Sequence, residues 1–180
     1  MLDLPYTYVE TSMESRATPD FLAINPLSQV PVLRDGDAII ADSNAILIYL
    51  VARYAPDGDW LPRDPVGAAH VQRWMSIAAG ELRYGPALAR AIKLLDLPLD
   101  PEPPQALAKK LFGVMDAHLA DHSFLAADRA TLADIALYSY TAHAPEGGVS
   151  LDPYPAIRAW LARVEALPGF VPMSRIGKAD

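Results

Sequence analysis

The run Ala45–Ala52 (AILIYLVA) limits the possible folds of this chain more than any other stretch. Every residue in it is apolar, yet at eight residues it is far too short to span a bilayer. A helix that is apolar all round must be covered on both sides by protein. Asp42-Ser43-Asn44, immediately before it, offers three consecutive side chains able to cap a helix start. Further upstream, Pro31 stands before the apolar pair Val32-Leu33. Proline cannot donate to a ladder and belongs at the first position of a strand. Gly36, flanked by Asp35 and Asp37, is a hairpin signal joining Val32-Leu33 to Ala38–Ile40. The stretch 25–54 therefore encodes a turn, two short strands and one buried helix.

Composition narrows the function classes. At 180 residues the chain is one domain or two small ones, and 52% hydrophobic with 21% charged residues suits a well-packed soluble protein. A formal net charge of −7 argues against a nucleic-acid surface and against anionic membranes. Cysteine is absent, which excludes disulfides, thiolate metal sites and a protein thiol nucleophile. Met1–Pro5 lacks both the basic and the long apolar region of a signal peptide, so a cytoplasmic location is expected.

The rest of the chain divides at a linker. Leu4–Val9 reads as a proline-initiated strand rich in β-formers, Thr11–Arg16 as polar loop, and Thr18–Ile24 as a short helix with proline at its first position. Residues 56–65 (PDGDWLPRDP) interrupt both periodicities and mark the boundary between a domain over 1–55 and another over 66–180. Trp60-Leu61 reads as the linker's anchor to a surface. Beyond it no strand is expected. Val66–Leu95 is a long helical pattern with a bend or break at Gly85-Pro86. Asp96–Pro104, with four prolines, is loop, and Ala106–Leu119 is amphipathic, with Leu107, Leu111, Val114, Met115 and Leu119 on one stripe. Thr131-Leu132-Ala133-Asp134 is a capping-box variant opening a central apolar helix to His143. Pro155–Leu167 is the last clear helix, with Ile157, Leu161 and Val164 inward, stopped by Pro168-Gly169-Phe170.

Taken in order, Asn25-Pro26, Gln29, Val30-Pro31, the Asp35-Gly36-Asp37 hairpin and Asp42-Ser43 resemble the thioredoxin-like N-terminal half of the glutathione transferase family. The Thr131–Asp134 box and the Pro155–Trp160 helix with its Pro-Gly-Phe stop extend the resemblance to the family's all-helical C-terminal half. The implied fold class is α/β plus all-α: a shortened thioredoxin-like domain followed by an all-helical one. The resemblance implies that the Ser43 hydroxyl and backbone N–H, at a helix start that favours anions, hold the γ-glutamyl carboxylate of glutathione. It further implies that Asp42 pairs with the amine, that Val30, aimed outward by a cis Pro31, bonds the cysteinyl segment as an added strand, and that Gln29 reaches the glycyl carboxylate. Asp-Ser before an apolar helix also serves as a plain cap, and Val-Pro as a plain strand start.

Catalysis is less legible. A thiol with an ordinary pKa near 8.5 is only a few per cent ionised at neutral pH, so its anion must be stabilised. The family does this with a Ser, Tyr or Cys after its first strand, and Leu4–Val9 resembles its second. The first strand and helix are thus expected to lie upstream, with Met1 an internal start, and no catalytic residue is assigned. Tyr6, Tyr8, Ser12 and Ser15 are the nearest hydroxyls. The resemblance implies conjugation of glutathione to a small hydrophobic electrophile, with Arg83 and Tyr84 beside the electrophile pocket, in a homodimer. A non-catalytic binding or subunit protein is the alternative, and a glutathione-dependent isomerase or lyase a third reading. His118 and His122 have i, i+4 spacing that could hold a metal, but a solvated helix face is the simpler reading and no metal is assigned. His70 and His143 read as surface or interface residues, and Trp74 and Trp160 as core or interface aromatics.

Overall fold

The computed structural model describes residues 1–174. The chain forms two compact units, one over Leu2–Gly58 and one beginning at Asp59. The first holds helices α1 (Met13–Arg16), α2 (Pro19–Ile24) and α3 (Ser43–Tyr54) and strands β1 (Val32–Asp35) and β2 (Ala38–Ala41). β1 and β2 form an antiparallel hairpin in the register Val32↔Ala41, Leu33↔Ile40, Arg34↔Ile39 and Asp35↔Ala38. Gly36 supplies the turn with φ 57°, a left-handed conformation that favours glycine. α3 packs on both strands.

Three readings of this unit change. Leu4–Val9 forms no strand: the sheet among the described residues has two strands, and Tyr6, Tyr8 and Val9 lie exposed with no partner ladder. A β-rich segment without a neighbour has nothing to hydrogen-bond in register. Thr11–Arg16 is not all loop, because Ser12 and Ser15 cap one helical turn reciprocally, each side chain accepting the other's backbone N–H at 3.1 and 2.9 Å. Finally, α3 is less buried than an all-apolar run suggests, with Val51 its one buried residue.

The second unit is all helical: α4 (Pro65–Ile77), a π-helical segment (Ala78–Ala87), α5 (Leu88–Leu94), α6 (Glu102–Asp121), α7 (Leu132–Ala142), a 3₁₀ turn (Ala144–Gly147) and α8 (Pro155–Glu165). Of the bend or break expected at Gly85-Pro86, the break does not occur. Proline removes an N–H and its ring clashes with the carbonyl four residues back, so the helix widens there and runs on with Pro86 inside it. Gly85 lets α6 approach closely, because a Cβ there would stand 3.0 Å from the Ala108 backbone nitrogen. α6 starts at Glu102, four residues earlier than its periodicity suggests, with prolines tolerated in its first turn. Its buried stripe is Pro104, Ala108, Leu111, Phe112, Met115 and Leu119; Val114 instead faces solvent.

α7 is the centre of this unit and touches α4, the π segment and α8. Its first turn is organised by Asp134, which is fully buried. One carboxylate oxygen accepts the Leu125 N–H (2.9 Å) and the Trp160 Nε1–H (2.8 Å). The other accepts the Thr131 N–H (2.8 Å) and hydroxyl (3.1 Å). Burial pushes the carboxyl pKa up, against the pull of these four donors. Trp60 joins the same corner, its carbonyl accepting the Leu132 N–H at 2.9 Å, so the linker is anchored through its backbone. Replacing Asp134 by alanine strands three buried N–H donors, and the expected loss of unfolding free energy is about 3–5 kcal/mol. Urea denaturation of the two proteins measures it; a loss below about 1 kcal/mol would contradict this role.

Candidate functional site

The hairpin register places the site. Val32 pairs with Ala41 at the open end, so Pro31 and Asp42 are the next facing positions of the two strands. Gln29-Val30-Pro31 and Asp42-Ser43 thus lie side by side at one end of the sheet, and all five residues are exposed. The Val30–Pro31 peptide bond is cis.

Each strand end is held from behind. Asn25, only 5% exposed, donates from Nδ2 to the Gln29 carbonyl at 2.7 Å, and its Oδ1 accepts the Leu27 N–H at 3.2 Å. The Asn25 carbonyl accepts the Ser28 N–H at 3.0 Å, while the Ser28 hydroxyl donates to the Arg16 carbonyl at 2.9 Å. These bonds shape the turn that delivers Gln29 and Val30. Sequence reasoning used Asn25 only as a turn marker; a buried amide beside a proline turn was the available signal for this clamping role.

On the facing strand Asp42, not Ser43, is the N-cap of α3. One Asp42 carboxylate oxygen accepts the N–H groups of Asn44 (2.9 Å) and Ala45 (3.0 Å). Its φ of 82° is one that a residue with a Cβ adopts only at some cost, and such strain concentrates where function over-determines the backbone. Ser43 becomes the first helical residue, where a backbone N–H has no intrahelical acceptor. An exposed helix start with an adjacent hydroxyl suits a carboxylate.

The other candidate residues lie on other segments of the chain. Arg83 and Tyr84 both lie on the exposed side of the π segment, the guanidinium 5.6 Å from the Tyr84 ring centre. The Ser12 and Ser15 hydroxyls are engaged in their own cap, and Tyr6 and Tyr8 are 86% and 79% exposed. His118 and His122 stack at 4.1 Å but each turns a ring nitrogen to a backbone carbonyl, Leu125 and His118 respectively. Among the described residues no three His, Asp or Glu side chains are grouped to hold a metal. His143 is not on the surface: it is 2% exposed and pairs through Nδ1 with Glu146 at 3.0 Å, which also binds Arg90. Trp74 and Trp160 are both core residues.

With the geometry in place, comparison with known proteins defines the class. Residues 1–58 match the model of the glutathione S-transferase N-terminal domain, and residues 104–168 that of the C-terminal domain. Glutathione S-transferase 3 of Zea mays is 31% identical, over 94% of this chain and 81% of the maize protein. A glutathione S-transferase from Xanthobacter autotrophicus Py2 superposes with a TM-score of 0.88 at 30% identity, over 95% of this chain and 85% of that one. A Drosophila mojavensis glutathione transferase homologue, solved with bound glutathione, gives a TM-score of 0.79 at 32% identity, over 93% of this chain and 79% of its own. The architecture is therefore a thioredoxin-like domain with a small two-stranded sheet, followed by a glutathione-transferase helical domain. This chain belongs to the glutathione S-transferase family.

Burial holds the His118 imidazole below its ordinary pKa of 6.5, outweighing the pull of the Leu125 carbonyl. The folded chain then binds fewer protons than the unfolded one, so the contribution of His118 to stability is complete above pH 6.5 and is lost as pH falls below it. An NMR titration is expected to show the His118 ring protonating below the unfolded-state value; a midpoint at or above that value would refute the assignment.

Proposed function

We propose that this chain binds glutathione at the open end of the hairpin and transfers it to small hydrophobic electrophiles. The observation that carries the reading is the register Val32↔Ala41, which faces the Gln29–Pro31 strand end with the capped helix start at Asp42-Ser43. In this reading Ser43 takes the γ-glutamyl carboxylate with its hydroxyl and N–H, and Asp42 pairs with the γ-glutamyl amine. Asp42 uses one oxygen for the helix cap, so the other oxygen is the one assigned to the amine. The Val30 backbone, two residues before the first paired position, extends the strand pattern to the cysteinyl unit. Gln29 reaches the glycyl carboxylate.

In the transfer step the thiolate sulfur bonds to the electrophilic carbon, the leaving group departs with its electron pair, and the thiol proton passes to solvent. Arg83 and Tyr84 are the residues proposed to border the electrophile. No catalytic side chain is assigned. The glutathione S-transferase relatives favour transfer over a purely binding role. A cytoplasmic homodimer is part of the same proposal. Half-exposed apolar residues on α3 support pairing, and no helix among the described residues is long and apolar enough to cross a membrane.

Isothermal titration with glutathione tests the binding step. Ser43→Ala removes one hydrogen bond to a charged group and is expected to raise Kd about tenfold. Equal affinity of the two proteins would place the carboxylate elsewhere. The pH profile of conjugation tests the thiol. If no side chain activates it, the rate is expected to rise about tenfold per pH unit up to roughly pH 8.5. A plateau near neutrality would reveal an activating group.

A further inference from the structure

The turn end of the hairpin carries a second constellation, opposite the proposed glutathione site. Asp35, the last residue of β1, accepts the Tyr49 hydroxyl on Oδ2 at 2.8 Å, and the Tyr54 hydroxyl donates to the same oxygen. Both phenols belong to α3. Their geometry follows from chain reach. Asp35 lies three residues along β1 from Val32, roughly 10 Å at strand rise. Tyr49 lies six residues along α3 from Ser43, about 9 Å at helix rise. The helix leaves β2 at the open end and runs back along the hairpin, so its later turns arrive level with the carboxylate. Strand, cap, helix and phenol–carboxylate contacts thereby close a ring.

Packing alone holds this helix weakly. Val51 is the one residue of α3 that is buried, and the strands present only one short face to it. Two hydroxyls aimed at one oxygen fix both the distance and the roll of the helix, which a few apolar contacts do not. Hydrogen bonds to the charged form hold the Asp35 carboxyl below its ordinary range, Tyr54 and then Tyr49 contributing most.

We propose that Asp35, Tyr49 and Tyr54 are positioning residues for the glutathione site, acting at the far end of α3 to hold the Asp42-Ser43 helix start against the Gln29–Pro31 strand end. The proposal rests on the binding reading above. None of the three touches the tripeptide. Their effect is on how often the first turn of α3 is correctly placed, so they govern affinity for glutathione and leave the transfer step itself unchanged.

The test uses the full chain, at a temperature where every variant is fully folded by circular dichroism. Tyr49→Phe combined with Tyr54→Phe removes both donors while keeping both rings, and Asp35→Ala removes the acceptor. Each is expected to raise the glutathione Kd and KM about tenfold with kcat unchanged. Because both changes break the same contacts, the triple variant is expected to be no weaker than either. Unchanged affinity, or effects of donors and acceptor that add independently, would overturn the proposal. If the unmodified chain does not bind glutathione, the binding reading fails on its own account. Hydrogen exchange of the Asn44 and Ala45 amides, which Asp42 accepts, then decides whether the tether orders the helix start. Faster exchange in the double phenylalanine variant supports the tether; unchanged exchange refutes it.

Discussion

Asp134 is the interaction on which the helical half of the molecule depends. A buried carboxylate is tolerated only when its lone pairs are filled, and here four donors from three separate places fill them. One comes from Leu125 in the loop, two from Thr131 at the cap of α7, and one from the indole of α8. The same carboxylate thus starts the central helix, fixes the loop ahead of it and docks the last helix. Trp160 could have been buried without that bond only by leaving its own N–H unpaired.

In the α/β half the governing constraint is the hairpin register. A shift of one residue would turn every side chain to the opposite face and separate Pro31 from Asp42. The register is held at one end by the glycine turn. At the other end stand two polar clamps, the Asn25 amide on one strand and the Asp42 cap on the other. Strain at Asp42 persists because the strand behind it and the helix ahead of it leave no other path. Polar residues hold this unit too, because the sheet among the described residues has two strands with which to bury anything.

Much of this was written in local sequence. The turn, the hairpin, the cap before Ala45–Ala52, the Thr131–Asp134 box and the final helix all rest on contacts within a few residues, and they stand where spacing puts them. Gln29, Val30, Pro31, Asp42 and Ser43 are singled out by the family resemblance of the ordered motifs that carry them, since each alone reads as a plain cap, turn or strand start. Readings failed where the outcome depends on a distant partner. Leu4–Val9 has β-rich composition, but composition supplies no neighbouring strand. The Gly85-Pro86 pair reads as a bend or break, and the helix widens and runs on with Pro86 inside it. His143 looks like a helix-end surface residue until the 3₁₀ turn brings Glu146 under it.

The sequence by itself determined the hairpin, the capped starts of α2, α3 and α7, and the last helix. Propensity, capping and turn preferences act over three or four residues, within reach of inspection. Only the tertiary structure decided that Asn25 clamps Gln29, that two tyrosines share Asp35, and that Asp134 joins a loop to two helices. These bonds link residues between 4 and 26 positions apart. They form because folding brings distant polar groups together, and those it buries must find a partner, a requirement that no local pattern records.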